Sequence, residues 1–204
     1  MVKISHMACE LVKGLAIHYK EQVMGMVSMH IQNMQANYIS NPQENWKGKD
    51  CAIYLVISLS TKQTAGISVS TVLINFEHFV LTMIMPELQS KDVNAQPLFK
   101  ADALKFLTTF RYQIPQTSAL SIMPHLMIFL LCESTVVHSF AANCIGKMLI
   151  VKDGRQLQYT FSDINPFLQP LMTNLFNALK LSEPQENPYV MKRIMRVVNC
   201  KLDW

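Results

Sequence analysis

Apolar residues recur at steps of three and four along nearly the whole chain, and that recurrence is itself repeated at a longer interval. Val23, Val27, Ile31, Met34 and Tyr38 fall on one side of a 3.6-residue period, which makes a helix with one buried stripe. Three apolar segments, MPEL, MPHL and NPFL, each carry a proline followed two residues later by leucine, at Pro86, Pro124 and Pro166, so the intervals are 38 and 42 residues. A period of this size calls for a helical repeat of the HEAT type, about 40 to 47 residues with two helices in each unit. Behind two of these segments comes a second helix with small side chains, Ala101 and Ala103 with Leu104, then Ala141 and Ala142 with Ile145. Small residues let paired helices approach closely. Proline is tolerated at an early helical position and costs about 3 kcal/mol deeper inside, so Pro124 and Pro166 are expected to start or kink their helices.

The reading is all-α. Helices are expected at 4–19, 21–38, 44–60, 71–89, 96–112, 117–132, 135–151, 163–180 and 188–201. That is about four helix pairs plus an N-terminal helix, one HEAT-repeat segment over 1–204. Asn41, Pro42 and Glu44 have the order of a capping box with proline at the first helical position. The segments AIYLVISLS and VHSFAANCIGKMLI carry many β-branched residues without clean alternation, and they are read as helices. Loops are expected at Lys62–Thr71, at Val151–Asp163 with an Asp-Gly turn, and at Ser182–Pro188; Ser162 or Asp163 is the expected cap of the helix that follows the second.

Half of the 204 residues are hydrophobic and 16% are charged, which excludes a disordered, self-repelling chain and supplies a sizeable core. The longest apolar run, Ala119 to Cys132, is interrupted by Ser121, Pro124 and His125 and is shorter than the roughly 20 residues of a membrane-spanning helix. Glu10 and Lys13 interrupt the place of a secretory signal's apolar run, which argues against export from the cell. Cys9, Cys51, Cys132, Cys144 and Cys200 are odd in number and scattered among apolar neighbours, the pattern of buried free thiols in cytosol or nucleus. The net charge of +4 is too small and too dispersed for a nucleic-acid footprint.

No catalytic or metal constellation emerges. The six histidines form no HExxH, no CxxC occurs, and the adjacent Glu77 and His78 point about 100° apart on a helix. No cofactor and no enzyme chemistry are expected. Met24, Met26, Met29 and Met34 either fill a helix core or offer an adaptable surface to a partner helix.

The candidates for protein contact are Trp46, Lys47, Lys49, Asp50, Arg111, Lys192, Arg193 and Arg196. Trp46 either packs on the preceding helix, with Lys47 and Lys49 in water, or forms a recognition patch with them. Arg111 ends a helix, where positive charge is favoured by about 0.3–1 kcal/mol, so an intramolecular tie competes with partner contact. Lys192, Arg193 and Arg196 share part of one helical face, either solvated or set against an acidic protein partner.

Long words of the sequence resemble a known family. NPQENWKGKDCAIYLVISL (41–59), FKADALKFLTTFRYQIP (99–115), IMPHLMIFLLCESTVVHSFAANCI (122–145) and NPYVMKRIMR (187–196) are similar, in order, to the importin-alpha re-exporters of the importin-beta-like exportin family. The resemblance implies a right-handed α-solenoid of HEAT repeats, a non-enzymatic transport receptor, importin-alpha and the GTP form of the small GTPase Ran as partners, and residence in nucleus and cytoplasm. It implies a fragment of a larger exportin-like solenoid, whose uncapped apolar ends would self-associate. Asn41, Pro42, Asn45, Trp46, Lys47, Lys49 and Asp50 match the family's NPxxNWKxKD word, which lies at an inter-helix corner. The chain departs from the family at Tyr112, where asparagine is usual, in the shorter Thr61–Ser70 segment, at NCIGK (143–147) and at the terminal KLDW.

Overall fold

The computed structural model describes residues 2–59, 74–154, 156–180 and 190–192. Two compact units make up the chain, Met1–Pro86 and Glu87–Trp204. The expected loop at Lys62–Thr71, the start of the helix placed at 71, the connector Ser182–Pro188 and most of the helix placed at 188–201 lie outside the described residues.

In the first unit α1 (Val2–His18) packs on α2 (Lys20–Ser40) and α3 (Trp46–Ser58), and α2 and α3 form a pair. The stripe read from the sequence faces inward: Ile31 is fully buried, and Val23, Val27, Met34 and Tyr38 are half-buried. Ala52, Ile53, Val56 and Ile57 of α3 are buried. The Asn41–Glu44 pairing forms, with Asn41 Nδ2 donating to Glu44 Oε2 at 2.9 Å, but it closes a turn ahead of the helix, which begins at Trp46 rather than 44.

The next helix, α4, has three parts: Phe76–Phe79, a π-helical turn Val80–Ile84, and Met85–Leu88. Asn75 caps it through Oδ1, which accepts from the His78 amide at 3.1 Å. The amide of Met85 donates to the Val80 carbonyl, five residues back. That wider turn immediately precedes Pro86, which has no amide to continue an α-helical ladder. Thr82 Oγ1 in the turn donates to the His78 carbonyl and accepts from Gln35 Nε2 of α2, each at 2.7 Å.

The second unit holds α5 (Pro97–Phe110), α6 (Gln116–Phe129), α7 (Thr135–Met148) and α8 (Phe161–Lys180). Pro97 stands at the first turn of α5 behind Gln96, whose φ of 47° lies in the left-handed region. The widest helix contact among the described residues joins α5 to α7. Ala101, Ala103, Ala141 and Ala142 are buried, as their small size requires for close approach. α6 pairs with α7, and α8 packs on α6 through Ile164, Leu168, Leu171, Leu175 and Ala178, spaced four, three, four and three residues apart. His138 is fully buried, with Nδ1 3.1 Å from the Cys132 carbonyl.

Of the two outcomes expected for Pro124 and Pro166, to start or to kink their helices, the first does not occur. Pro124 lies inside α6, and Pro166 and Pro170 lie inside α8. All three, like Pro86, are exposed, so the ring that cannot donate to the helix ladder stands on the solvent side. Three side-chain hydrogen bonds, Gln35–Thr82, Gln116–Asp163 and Asn174–Met127, each span 47 residues and tie the first helix of one repeat to the first helix of the next.

The segment expected as a loop with no strand contains a small hairpin, β1 (Lys152–Asp153) paired antiparallel with β2 (Gln156–Leu157). Gly154, with φ of 63°, makes its turn, a conformation that an Asp-Gly step supplies readily. The cap of α8 also differs from expectation. Thr160 is the cap, and Asp163 Oδ2 reaches back to accept from its amide at 2.8 Å and its hydroxyl at 2.7 Å.

The Thr160 hydroxyl, then the Thr160 amide, and further the Gln116 amide hold the Asp163 carboxyl below its ordinary value of 3.8. A carboxyl lowered in the folded state adds stability above its unfolded pKa, and that stability is lost as pH falls through the folded value. Thermal melting of Asp163→Asn and wild type is therefore expected to differ most at neutral pH and to converge as pH drops below 3.8. A difference that does not change with pH would remove the carboxylate from the cap.

Candidate functional site

The corner between α2 and α3 carries four of the residues singled out in the sequence. Asn45 Nδ2 donates to the Asn37 carbonyl at 3.0 Å and fixes the entry of α3. Trp46, the first residue of α3, is 38% exposed, and the Lys47 ammonium stands 5.6 Å from its ring centroid in solvent. Asp50 is half-buried.

Lys49 departs from the expectation that both lysines stay in water. It is fully buried; its Nζ donates to Tyr38 Oη at 3.1 Å and lies 4.5 Å over the Tyr38 ring. The physical reason is the helix phase. Three residues after Trp46, position 49 falls on the face of Ala52, Ile53 and Val56, which turns toward the core. A phenol supplies both an acceptor and a ring face for the ammonium. Lys49 is thus part of the unit's interior and Lys47 part of its surface. The partner Tyr38 was legible only as a core position, because the contact depends on how α2 meets α3.

In the second unit Arg111 forms the intramolecular tie. Its Nη1 donates to the Thr108 carbonyl at 2.8 Å, and its guanidinium lies 4.4 Å from the ring of Tyr112. The Tyr112 side chain, in place of the family's asparagine, is 57% exposed beside it. An open cleft of about 580 Å³ lies between the α5–α6 turn and the hairpin, lined among others by Tyr112, Gln113, Gln116, Lys152, Gln156 and Gln158. Its carboxamides and opposed single charges suit a polar protein segment and hold no nucleophile with an adjacent base.

Beneath this corner Tyr159 is almost wholly buried, a position the loop reading missed. The only local signal is the alternation of Leu157 and Tyr159 after the turn. Burial, and then the nearby Cys144, push the Tyr159 hydroxyl up to about 12. Burial likewise pushes the Cys144 thiol up to about 12, against the opposing hydrogen bond of Thr108 and charge of Arg111. Cys144 stays a protonated, inert thiol at neutral pH. Cys132 is also buried, whereas Cys51 is exposed, contrary to the uniform burial expected of the cysteines.

Lys192 is exposed in the short helical stretch 190–192, and Arg193 and Arg196 lie outside the described residues. Trp46, Lys47, Lys49 and Asp50 belong to the first unit, Arg111 and Lys192 to the second. Among the described residues no group of three His, Cys, Asp or Glu converges as a metal site would require, and no helix is long and apolar enough to cross a membrane.

Removing a buried ammonium from its acceptor removes packing as well as a hydrogen bond. Lys49→Ala is expected to destabilise the protein by about 2–4 kcal/mol in urea unfolding, and Lys47→Ala to stay within about 0.5 kcal/mol. Equal effects at the two positions would contradict the burial of Lys49.

The Cse1 family model matches residues 4–145, and the model described as CAS/CSE protein, C-terminus, matches residues 146–203. Exportin-2 of Bos taurus is 41% identical over 193 residues, and exportin-2 of Homo sapiens 40%; each match covers 93% of this chain and 20% of the relative. The solved structure of the exportin Cse1 in its cargo-free, cytoplasmic state superposes with a TM-score of 0.71 and 26% identity over 94% of this chain and 20% of that one. The chain therefore spans about a fifth of the length of these relatives. With the family model matching most of its length and its paired helices following the fold of a Cse1 structure, the chain belongs to the Cse1 family of exportins.

Proposed function

We propose that this chain is a non-enzymatic protein-binding segment of the importin-alpha export receptor type, read as one run of HEAT-type repeats over 1–204. The observation that carries the reading is the match to two Cse1-family models, over residues 4–145 and then 146–203, which takes in most of both units. The partners are importin-alpha and Ran in its GTP form, and the places of action are nucleus and cytoplasm.

The mechanism is docking. Rigid helix pairs hold side chains in place, so ordering costs little on binding. Lys47 and Lys192 are exposed cations that steer encounter with an acidic surface, and the stacked Arg111–Tyr112 pair offers a fixed aromatic contact. Lys49 acts only by holding the corner on which Trp46 and Lys47 stand. A second reading is a helical-repeat segment with no transport activity of its own. It is favoured by the coverage, since 80% of each exportin-2 relative lies outside the matched region.

A pull-down of the 204-residue chain with importin-alpha, with and without Ran loaded with GTP, separates the two. Retention of importin-alpha that increases with Ran-GTP, and weakens in a Trp46→Ala, Lys47→Ala double variant, is the expected result. Absence of binding at about 10 µM, where an interaction of −7 kcal/mol is half-saturated, sinks the transport reading.

A further inference from the structure

One wall of the cleft beside the hairpin is main chain with open hydrogen-bonding groups. β1 and β2 pair with Lys152 opposite Leu157 and Asp153 opposite Gln156, and next to them the Gln158 amide donates to the Val151 carbonyl at 2.8 Å. Hydrogen-bonded and non-hydrogen-bonded pairs alternate along an antiparallel ladder. With Val151 and Gln158 bonded, Lys152 and Leu157 aim their N–H and C=O groups outward from the hairpin. Both residues line the cleft, and none of these four groups enters a hydrogen bond with another described residue. The other wall, the turn from α5 to α6, supplies Gln113, whose Oε1 is buried without a donor among the described residues. Folded proteins keep few such acceptors, so one placed at a cleft points to a donor that arrives from outside.

The two walls are held in place. Val151 and Tyr159, at the feet of the hairpin, are 2% and 1% exposed. Gln116 Nε2, at the start of α6, donates to Asp163 Oδ2 at 3.0 Å, and the same oxygen accepts from the Thr160 amide just after the hairpin. The edge is thus already formed before anything binds, which lowers the ordering cost.

An extended polypeptide fits this arrangement. An added strand lies about 4.8 Å from the edge and offers N–H and C=O in the alternation that the edge offers. The cleft volume, about 580 Å³, lies within the roughly 300–1,000 Å³ of ordinary ligand clefts. Its charged side chains are one of each sign, Lys152 and Asp153, which favours neither an anion nor a cation. Apart from Tyr112, its other polar side chains are carboxamides, and these pair with Ser, Thr, Asn and Gln. Leu157 is half-buried between two cleft-lining glutamines, whereas Lys152 is exposed and carries the kind of side chain that guards an edge against pairing.

We infer that an extended, uncharged polar segment of a partner protein binds this cleft as a strand added to β2 at Leu157, with a donor of the same segment reaching Gln113 Oε1. The inference stands apart from the transport reading, since a chain that fails to retain importin-alpha can still bind such a segment, and the reverse.

Two-dimensional NMR of the isotope-labelled 204-residue chain, titrated with acetyl-Thr-Gln-Ser-Thr-Gln-Thr-amide to about 5 mM, tests it in the range expected of a few main-chain bonds. Saturable shifts are expected at the amides of 156–158 and at the Gln113 side chain. The same peptide with every peptide nitrogen methylated is expected to cause none. Leu157→Pro removes an amide that lies outside the hairpin ladder and is expected to weaken binding at least about tenfold, and Gln113→Leu about threefold to tenfold. No response at about 5 mM, shifts confined to other residues, or an equal response to the methylated peptide overturns the proposal. Where Leu157→Pro loses the spectrum of the folded wild type, the comparison of the two peptides on the wild type decides.

Discussion

The close approach of α5 and α7 is the contact on which the second unit depends. Alanines at 101 and 103 of α5 and at 141 and 142 of α7 are buried, together with Cys144 and Gly146. Phe106 and Phe110, with ring centroids 4.5 Å apart, add apolar bulk to α5, and both are buried. Gly146, buried in α7, costs about 1 kcal/mol in helix propensity relative to alanine. Once the two second helices are locked, α6 can pair with α7 and α8 can lie on α6. A repeat fold is built from such nearest-neighbour contacts, each unit covering the face of the last.

The same economy governs the polar groups. The three ties of 47 residues each join side chain to side chain or to a carbonyl between successive first helices, where a slip of one residue would lose them. They fix register where apolar contact alone is tolerant. The prolines of these helices sit on the water side, so the helices keep their length while their buried faces stay continuous. Membership of the exportin family gives these features a setting, a fold of stacked helix pairs like that of the solved Cse1 structure.

Much of this architecture was legible in the chain. The helices from α1 to α8 follow the three-to-four spacing of apolar residues, and the segments rich in β-branched residues are helical because their apolar positions suit a helix buried on one face. The departures are local. A hairpin formed around Asp153 and Gly154 because two residues per strand are too few to show a period of two. The α8 cap moved from Ser162 or Asp163 to Thr160 because Thr160 and Asp163 satisfy each other in a reciprocal cap. The helix start at 44 slipped to 46 because the Asn41–Glu44 pairing was consumed by a turn.

The contact residues were less legible than the fold. Lys47 and Lys49 look alike in sequence, and only the pairing of α2 with α3 buried one under Tyr38 and left the other beside Trp46 in water. What the sequence determined by itself was periodicity: helix, repeat length, and which face of each helix is apolar, all properties of neighbours along the chain. What the tertiary structure decided was which lysine is interior and which cysteine is exposed. Those depend on distances between residues far apart in sequence, which the spacing of side chains along one helix does not contain.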